Sequence, residues 1–409
     1  MVVEHFNTLI IGGGQAGIVM SHMLSRRGVG HIVVERRRIA ERWRSERWKG
    51  LRFQFPNWSV RLPDFPFPHR DPDGFACASE IVDYICAYAE FVQAPVRCNV
   101  SVSALSAGNG GARFAAETSS GQITADNVVI ATGPYQRPVI PQLMQNAKLF
   151  QLHASRYSDP EQLPDGAVLI VGAAASGSQI AEELNRAGRR VILSVGHHQR
   201  RPRRYRGRDL TAWMYELRAD RITAEQRGPD RAMAAITGAY GGHTIDLRAF
   251  ADEGIELVGR LEGYRDGVAY FADDLARRLA YGDLTYLASL DSMDAYIARR
   301  GLEAPEDSAA RLQLQDPPCV TNPIRQLDLK RAGIGAVIWA TGYDVDFGWI
   351  NLPVLDGKGQ PMHSGGIAIM PGIYFLGLPW LSTVTSSFLS GVASDAARLA
   401  DHIAGRKAS

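Results

Sequence analysis

The sequence GGGQAG, residues 12–17, decides the fold because it lies between an apolar run, residues 7–11, and a segment of helical character, residues 18–27. In this pattern the first glycine allows a tight strand-to-helix turn, the middle one lets a pyrophosphate approach the backbone, and the last lets helix and strand pack closely. The N-terminus of the helix then offers free N–H groups and a positive dipole end to phosphate.

A second apolar run, residues 31–34, follows this helix and ends at Glu35. Glu35 lies 23 positions after Gly12, where a carboxylate can accept hydrogen bonds from ribose hydroxyls. Strand, turn, helix, strand and acid occur in order within about 30 residues, which favours a dinucleotide-binding βαβ unit over a glycine-rich turn of another α/β protein.

The same arrangement occurs again about 160 residues later, where the apolar run 167–171 leads into GAAASG, residues 172–177. Residues 179–186 have helical character, and residues 191–193 form the next apolar run. Ala174 replaces the middle glycine, and its methyl group is the smallest possible intrusion on a pyrophosphate. The sequence therefore predicts a second dinucleotide-binding unit.

The second unit lacks the acid of the first. Ser194 stands 22 positions after Gly172, and His197 and an arginine-rich run, residues 200–206, follow it. Serine and arginine attract a 2′-phosphate that an acid would repel. This difference predicts FAD at the first unit and NADPH at the second, whereas the alternative for the arginines is a solvated basic loop.

Two similar signals flank the second unit: Ala-Thr-Gly at residues 131–133 and again at residues 340–342, each after an apolar run. We therefore expect an α/β fold with two Rossmann-like dinucleotide-binding domains, the NADPH domain inserted into the FAD domain. The expected FAD-binding domain covers residues 1–160 and 330–409, and the NADPH-binding domain, with a helical insertion, covers residues 161–329. Residues 373–377 predict a last FAD-domain strand, and further helices are expected at residues 271–279, 293–300 and 388–403.

Composition excludes several classes of protein. The chain has 409 residues, a net charge of +2 and no run of 18 apolar residues, so no membrane or nucleic-acid partner is expected and the expected compartment is the cytoplasm. Its four cysteines form neither C-x-x-C nor C-x-x-x-x-C, which argues against a redox disulfide and against a metal site.

These motifs resemble the class B flavin-containing monooxygenases, which are single-component, NADPH-dependent flavoproteins. The resemblance spans nearly the whole chain and rests on residues 12–17, 131–134, 172–177 and 340–344. Bacterial flavoproteins described in connection with potassium transport are similar also at PRRYRG, residues 202–207, and GGHT, residues 241–244. The plant auxin-forming monooxygenases are more distant.

The resemblance implies that NADPH reduces FAD, that O₂ then gives a C4a-hydroperoxyflavin, and that one oxygen passes to nitrogen, sulfur or a carbonyl carbon of a small organic substrate. An uncoupled NADPH oxidase and a non-catalytic, nucleotide-sensing flavoprotein are the alternatives. The family signature F-x-G-x-x-x-H-x-x-x-W/Y is matched in part, at His153 and Tyr157. Asn57 resembles a family asparagine near the flavin. His153 and Asn57 are thus the candidate catalytic residues, and a homo-oligomer is an open expectation.

The remaining candidate residues belong to the two cofactor sites, and Trp43 and Arg44 enter through the resemblance of their segment to the stretch that flanks the flavin. The residues expected to bind FAD are Gly12, Gly14, Gln15, Ala16, Gly17, Glu35, Trp43, Arg44, Thr132, Gly133 and Gly377. The residues expected to bind NADPH, or to form the linker beside it, are Gly172, Ala174, Ser176, Gly177, Ser194, Arg201, Arg203, Arg204, Thr341 and Gly342.

Overall fold

A computed structural model describes residues 3–109, 111, 113–228 and 234–406. The first of its two large sheets is built around the strand Glu4–Ile11, which is parallel to His31–Glu35 on one side and to Gly121–Ile130 on the other. The remaining strands of this sheet are Val96–Cys98, Val102–Ala107, Phe114–Thr118, His363–Ser364, Ile367–Ala368 and Ile373–Phe375.

The second sheet has five strands, all parallel to their neighbours. Their order across the sheet is Phe150–His153, Ile334–Trp339, Ala167–Val171, Val191–Ser194 and Glu256–Val258. In both sheets the strand that precedes a glycine-rich turn is central, as an apolar strand covered on both faces requires. The predicted α/β class is confirmed.

The sheet pairing corrects the expected domain limits. Phe150–His153 and Ile334–Trp339, which the limits at 160 and 330 assign to the first domain, are hydrogen-bonded to each other and to the second sheet. The chain therefore leaves the first sheet after Gly121–Ile130 and returns to it at His363–Ser364. The short edge strand Phe150–His153 carries no sequence pattern that distinguishes the sheet it joins.

The helices cover the sheets and form the insertion. They are Gln15–Ser25, Glu41–Ser45, Ala78–Phe91, Ala175–Arg186, Leu210–Glu216, Leu247–Asp252, Leu275–Arg300, Pro318–Thr321 and Val392–Gly405. The two helices expected at residues 271–279 and 293–300 are one helix, Leu275–Arg300, whereas Phe271 ends the preceding strand. Within this helix Asp283 forms ion pairs with Arg200 and Arg248. The last helix begins at Val392 rather than at residue 388.

Smaller strands complete the structure. They are the pairs Arg61–Leu62 with Phe65–Pro66, Arg137–Pro138 with Tyr343–Asp344 and Arg204–Tyr205 with Arg208–Asp209, and the antiparallel set Leu261–Arg265, Val268–Phe271 and Gln326–Asp328. Among the helices of the described residues, none combines the length and the apolar character needed to cross a membrane.

Candidate functional site

The first glycine-rich turn forms a cradle at the start of the helix Gln15–Ser25. Gly12 has a φ of 118°, and a Cβ there would lie 2.5 Å from the carbonyl oxygen of Ala131. A Cβ at Gly17 would lie 1.9 Å from the carbonyl oxygen of Gly12, so only glycine allows the helix to pack on the turn. A Cβ at Gly14 would meet no protein atom within 4 Å, which leaves the helix start open to a phosphate.

The carboxylate of Glu35 is fixed beside this cradle. One oxygen accepts a hydrogen bond from the backbone N–H of Gly13 at 2.7 Å, and the other accepts one from the N–H of Arg37 at 2.9 Å. A Cβ at Gly13 would lie 2.8 Å from the Cβ of Glu35, so Gly13, which the sequence analysis did not select, is what brings the acid to the turn. Each oxygen retains acceptor capacity for a ribose hydroxyl.

The second cradle repeats the first in detail. Gly172 has a φ of 108°, a Cβ at this position would lie 2.6 Å from the carbonyl oxygen of Ala340, and a Cβ at Gly177 would lie 1.8 Å from the carbonyl oxygen of Gly172. Ala174 adopts φ −76° and ψ −175°, close to the −84° and −174° of Gly14. Because a side chain at Gly14 would meet no protein atom, the methyl group of Ala174 is compatible with the turn.

The hydroxyl of Ser194 points away from the open side of this cradle. Ser194 is 2% exposed; its Oγ donates to the carbonyl oxygen of Gly259 at 2.9 Å and accepts from the N–H of Leu261 at 3.0 Å. The hydroxyl therefore joins two neighbouring strands of the protein. These two bonds occupy the Ser194 hydroxyl within the protein, and the expected contact between Ser194 and a 2′-phosphate stays a prediction.

Arg203 is likewise committed to the protein interior. Its side chain is 2% exposed, and its guanidinium donates to both carboxylate oxygens of Asp209, at 2.8 and 2.5 Å. Another donor of the same group reaches the carbonyl oxygen of Gln54 at 2.7 Å. Its position between Asp209 and Gln54 gives Arg203 a role in fixing the insertion to the first domain, and its expected role in phosphate binding stays a prediction.

Arg201 and Arg204 are directed elsewhere as well. Arg201 donates to the backbone of Thr285 at 2.7 Å, on the long helix Leu275–Arg300. Arg204 is exposed but donates to the carbonyl oxygens of Gly241 and Gly242. The neighbours of these glycines, Tyr240 and His243, contact Arg186 and Glu182 in the C-terminal half of the second cradle helix. The expected roles of Arg201 and Arg204 in NADPH binding stay predictions.

His153 is a buried tether. One ring nitrogen is hydrogen-bonded to Ser155 at 3.0 Å, and the other to the carbonyl oxygen of Gly342 at 3.0 Å, while the ring edge meets Tyr343. Burial lowers the pKa of His153 below its ordinary value. Because both ring nitrogens are hydrogen-bonded to the protein, His153 connects the strand Phe150–His153 to the turn after Trp339. This arrangement suits a residue that positions its neighbours.

Gln15 connects the first cradle to two other segments. Its amide accepts a hydrogen bond from the indole N–H of Trp43 at 3.4 Å and donates to the carbonyl oxygen of Ser387 at 3.2 Å. Arg44, the neighbour of Trp43, instead extends over the surface to the sulfur of Cys86. Of the pair expected beside the flavin, the structure thus brings Trp43 to the cradle and turns Arg44 away from it.

Asn57 is held in a loop by its backbone and its side chain. Its backbone N–H donates to the carbonyl oxygen of Gly74 at 2.9 Å. Its side-chain amide donates to the backbone carbonyl oxygen of Asp71, also at 2.9 Å. Its side-chain oxygen is buried and has no hydrogen-bond partner among the described residues. Asn57 therefore retains one buried acceptor, next to the segment that lines the cavity described below.

The other predicted residues lie around the two turns. Thr132 accepts a hydrogen bond from Gln136 at 3.0 Å, and Thr341 donates to the carbonyl oxygen of Val139. Ser176 is exposed in the first turn of the second cradle helix. Gly377 has a φ of 76°, and a Cβ there would lie 2.8 Å from the Cβ of Ala16. Gly133 and Gly342 also have positive φ, of 73° and 83°.

A small cavity lies where the insertion meets the first domain. The helix Leu210–Glu216 forms one wall, and Phe53, Phe55 and Phe388 contribute aromatic rings, with centroid separations of 5.6 and 5.2 Å between successive rings. The other lining residues are Ser59, Val60, Thr211, Met214, Tyr215, Asp220, Thr385, Leu389 and Ser390.

Three connections hold the helix Leu210–Glu216 against this cavity. Asp209, the partner of Arg203, caps the helix by accepting a hydrogen bond from the N–H of Thr211 at 2.8 Å. Further along, residues 222–224 pair with residues 382–384 through two backbone hydrogen bonds of 3.0 Å. Insertion and C-terminal segment thereby share one wall of the cavity.

Comparison with known proteins identifies the chain. The family model described as pyridine nucleotide-disulphide oxidoreductase matches residues 9–229. An uncharacterized oxidoreductase, CzcO-like, of Geobacillus kaustophilus is 31% identical over 403 residues, which cover 97% of this chain and 98% of that protein. The chain belongs to this oxidoreductase family. Its predicted membership of the class B flavin monooxygenases is confirmed.

Two further likenesses concern monooxygenases. A flavin-containing monooxygenase from Stenotrophomonas maltophilia has the same fold, with a TM-score of 0.67 over 98% of each chain at 18% identity. A probable indole-3-pyruvate monooxygenase of Arabidopsis thaliana is 31% identical over 192 residues, 44% of each chain. Because the identity to the Stenotrophomonas structure is only 18%, this likeness shows that the two chains share a fold.

Sequence reasoning did not find the cavity of this oxidoreductase. Thr211, Met214, Tyr215 and Asp220 lie in a part of the insertion without a recognisable motif, and they meet Phe388 only through the tertiary fold. No motif in residues 211–220 indicates that these side chains line a cavity.

Proposed function

We propose that this flavoprotein is an FAD- and NADPH-dependent monooxygenase that oxygenates a small organic substrate near the junction of its two domains. The observation that carries the proposal is the presence of two matching phosphate cradles on one chain, with an aromatic cavity at the junction of their domains. Two dinucleotide sites favour transfer of electrons from one bound cofactor to another.

The first cradle fits FAD. Gly12 and Gly17 permit the close turn, Gly14 leaves the helix start open, and Glu35 is held where a ribose would lie. Gln15 would hold Trp43 and the carbonyl of Ser387 at the end of the site toward the cavity. When bound, FAD supplies the transfer of a hydride equivalent and the reaction with O₂, which side chains do not perform.

The second cradle fits the pyrophosphate of a nicotinamide dinucleotide, because Gly172 and Gly177 reproduce the first turn and Ala174 follows the same backbone path. The choice of NADPH over NADH is supported by the family and by the absence of an acid at Ser194. Selection of the 2′-phosphate does not depend on Ser194 or Arg203, whose polar groups are bound within the protein.

The lining of the cavity at the domain junction contains five apolar side chains, Phe53, Phe55, Met214, Phe388 and Leu389, beside polar ones. Apolar surroundings limit the loss of a reactive oxygen species to water. These side chains therefore support the proposal of monooxygenation.

The test measures NADPH consumption, H₂O₂ release and oxygenated product with the purified protein. We expect a yellow protein that consumes NADPH, and candidate substrates that lower the ratio of H₂O₂ released to NADPH consumed while an oxygenated product accumulates. NADPH consumption that always equals H₂O₂ release, over a panel of amines, sulfides, oximes and ketones, would indicate an oxidase. A colourless protein that does not consume NADPH would refute both readings.

A further inference from the structure

Two linkers connect the domains, and each begins against one of the two cradles. The outgoing linker, residues 131–139, begins with Ala131, whose carbonyl oxygen lies against the first glycine of the first turn. The return linker, residues 340–346, begins with Ala340, whose carbonyl oxygen has the same place at the second turn. The path of the two linkers therefore determines how the two cradles face each other.

The two linkers pair with each other along their length. Arg137–Pro138 and Tyr343–Asp344 form a two-stranded antiparallel sheet. The rings of Tyr135 and Tyr343 meet edge to face, with their centroids 5.1 Å apart. Because the linkers are joined in this way, they form one ribbon, and the ribbon as a whole sets the angle between the domains.

The side-chain amide of Gln136 bonds the outgoing linker to the return linker. Its nitrogen donates to the hydroxyl of Thr132 at 3.0 Å and to the carbonyl oxygen of Gly133 at 2.8 Å, both on the outgoing linker. Its oxygen accepts a hydrogen bond from the N–H of Asp346, on the return linker, at 2.7 Å. Three hydrogen bonds thus fix this amide where the ribbon meets the first domain.

The other end of the ribbon is fixed to the second domain by His153. One ring nitrogen of His153 is hydrogen-bonded to the carbonyl oxygen of Gly342, at the start of the return linker, at 3.0 Å. Gly133 and Gly342 both have positive φ, so each linker changes direction at a glycine beside one of these bonds. Gln136 and His153 therefore hold the ribbon at opposite ends.

The angle of the ribbon matters for chemistry because hydride transfer has a short reach. The reacting atoms must come within about 3–3.5 Å of each other, and a misplacement of about 1 Å can lower the rate about a hundredfold. Under the proposed function, the flavin is held at the first cradle and the nicotinamide at the second. The position of one domain relative to the other then decides whether the two rings meet.

We propose that Gln136 is a positioning residue for flavin reduction: its amide fixes the angle of the linker ribbon and thereby the position of the second domain relative to the first. Gln136 acts through the linkers and needs no contact with either cofactor. The effect on the rate of reduction rests on the proposed function, whereas the effect on the position of the domains can be measured without NADPH.

The test compares two variants at adjacent positions of the ribbon. Gln136→Met removes all three side-chain hydrogen bonds and keeps the length of the side chain. The control is Arg137→Gln, which removes an ion pair with Asp344 that also joins the two linkers. Both partners of this pair are more than half exposed, and exposed ion pairs contribute little. The control therefore changes the ribbon without removing the proposed constraint.

The first measurement is amide hydrogen exchange of the holoenzyme without NADPH. The domains also meet where the N–H of Ala224 donates to Ser382 and the N–H of Val384 donates to Ile222, each at 3.0 Å. If Gln136 sets the domain angle, peptides that contain Ala224 or Val384 should exchange about fivefold faster in Gln136→Met, as for the loss of one hydrogen bond. We expect no change in Arg137→Gln. Unchanged exchange in Gln136→Met overturns the inference, because its amide would then act only locally.

The second measurement is the rate of flavin reduction at saturating NADPH, followed by stopped-flow absorbance. We expect Gln136→Met to lower this rate at least about tenfold, because the two rings no longer meet in the reactive geometry. The FAD content and the Kd for NADP⁺ should stay as in the native protein, and Arg137→Gln should resemble the native protein throughout. An unchanged rate in Gln136→Met, or a loss of rate that is matched by loss of FAD or of NADP⁺ affinity, overturns the inference.

If Gln136→Met does not fold, Gln136→Glu takes its place, because a carboxylate keeps the bond from the N–H of Asp346 and loses both donors. The same directions of change are expected, and unchanged exchange or rate overturns the inference in the same way. If NADPH does not reduce the native protein while exchange responds as expected, the proposed function is wrong and the role of Gln136 in domain position stands. If NADPH reduces the native protein and neither measurement responds, only the assignment of Gln136 falls.

Discussion

The guanidinium of Arg203 and the carboxylate of Asp209 form a buried two-point ion pair, and the same carboxylate caps the helix that lines the cavity. The pair also reaches the first domain, because Arg203 donates to the carbonyl oxygen of Gln54. One side chain thereby fixes the position of a cavity wall. An arginine that resembles a phosphate ligand in the sequence is part of the framework of the site.

Replacement of Arg203 by alanine should destabilise the protein rather than weaken NADPH binding. Asp209 would be left as an unpaired, buried charge, so we expect a loss of about 3–5 kcal/mol in the free energy of unfolding, measured with urea. Arg204→Ala, at the exposed neighbouring position, should lower the free energy of unfolding by only about 0.5 kcal/mol, as is typical of surface positions. A large rise in the KM for NADPH with unchanged stability in Arg203→Ala would restore the phosphate role.

The two cradle glycines Gly14 and Gly17 should respond differently to alanine. A methyl group at Gly17 would collide with the carbonyl oxygen of Gly12, whereas one at Gly14 meets no protein atom, as at Ala174 in the second unit. We expect Gly17→Ala to lose the bound flavin and Gly14→Ala to keep most of it. The ratio of absorbance at the flavin and protein bands of the purified variants measures this, and circular dichroism checks folding. A flavin-loaded Gly17→Ala protein would contradict the assignment.

Glu183 should make the protein less stable as the pH rises from about 4.5 to 7. Burial, together with repulsion from the Asp159 carboxylate, raises the pKa of Glu183 to about 7, from 4.5, although a hydrogen bond with Trp48 acts in the opposite direction. The folded state therefore holds this proton more tightly than the unfolded state, so stability is greatest below pH 4.5 for this group and falls between about pH 4.5 and 7. A difference of one between the pKa values of the folded and unfolded states corresponds to about 1.4 kcal/mol in the free energy of unfolding.

The variant Glu183→Gln removes this titration. It should unfold at higher urea concentration than the native protein at pH 8 and at nearly the same concentration at pH 4.5. The control is Glu161→Gln, at an exposed position. Parallel stability curves of Glu183→Gln and the native protein from pH 4.5 to 8 would show that this carboxylate has an ordinary pKa.

His153 should contribute to position and not to proton transfer. The pKa of His153 lies below its ordinary value because the ring is buried, and both ring nitrogens are bonded to the protein. We expect His153→Asn to lower stability by about 1–3 kcal/mol through the lost bonds, with the shape of the pH profile of kcat/KM preserved. Disappearance of one limb of that profile, with stability unchanged, would return His153 to the catalytic residues.

The sequence was sufficient for the two cradles because their chemistry is local. Gly12, Gly17, Gly172 and Gly177 are required by the path of the chain within six residues, and that requirement is visible in the motif itself. The class of fold followed from two such units and the apolar strands around them.

The partners of the arginine-rich run could not be predicted from the sequence, because a guanidinium has many possible partners. The sequence places Arg203 after the second strand of the unit, but its partners, Asp209, Gln54 and Thr237, are set by a short hairpin and by contact between domains. For the same reason the cavity was not predictable: Phe53, Asp220 and Phe388 come together only through the packing of three distant segments.

The pairing of residues 222–224 with residues 382–384 has a mechanical consequence. The two backbone hydrogen bonds join the insertion to the C-terminal segment, so a rigid-body movement of one relative to the other would strain or break them. Under the proposed function, such a movement would change both the approach of the nicotinamide and the shape of the cavity at the domain junction. A substitution that weakens this backbone pairing should therefore affect both properties together.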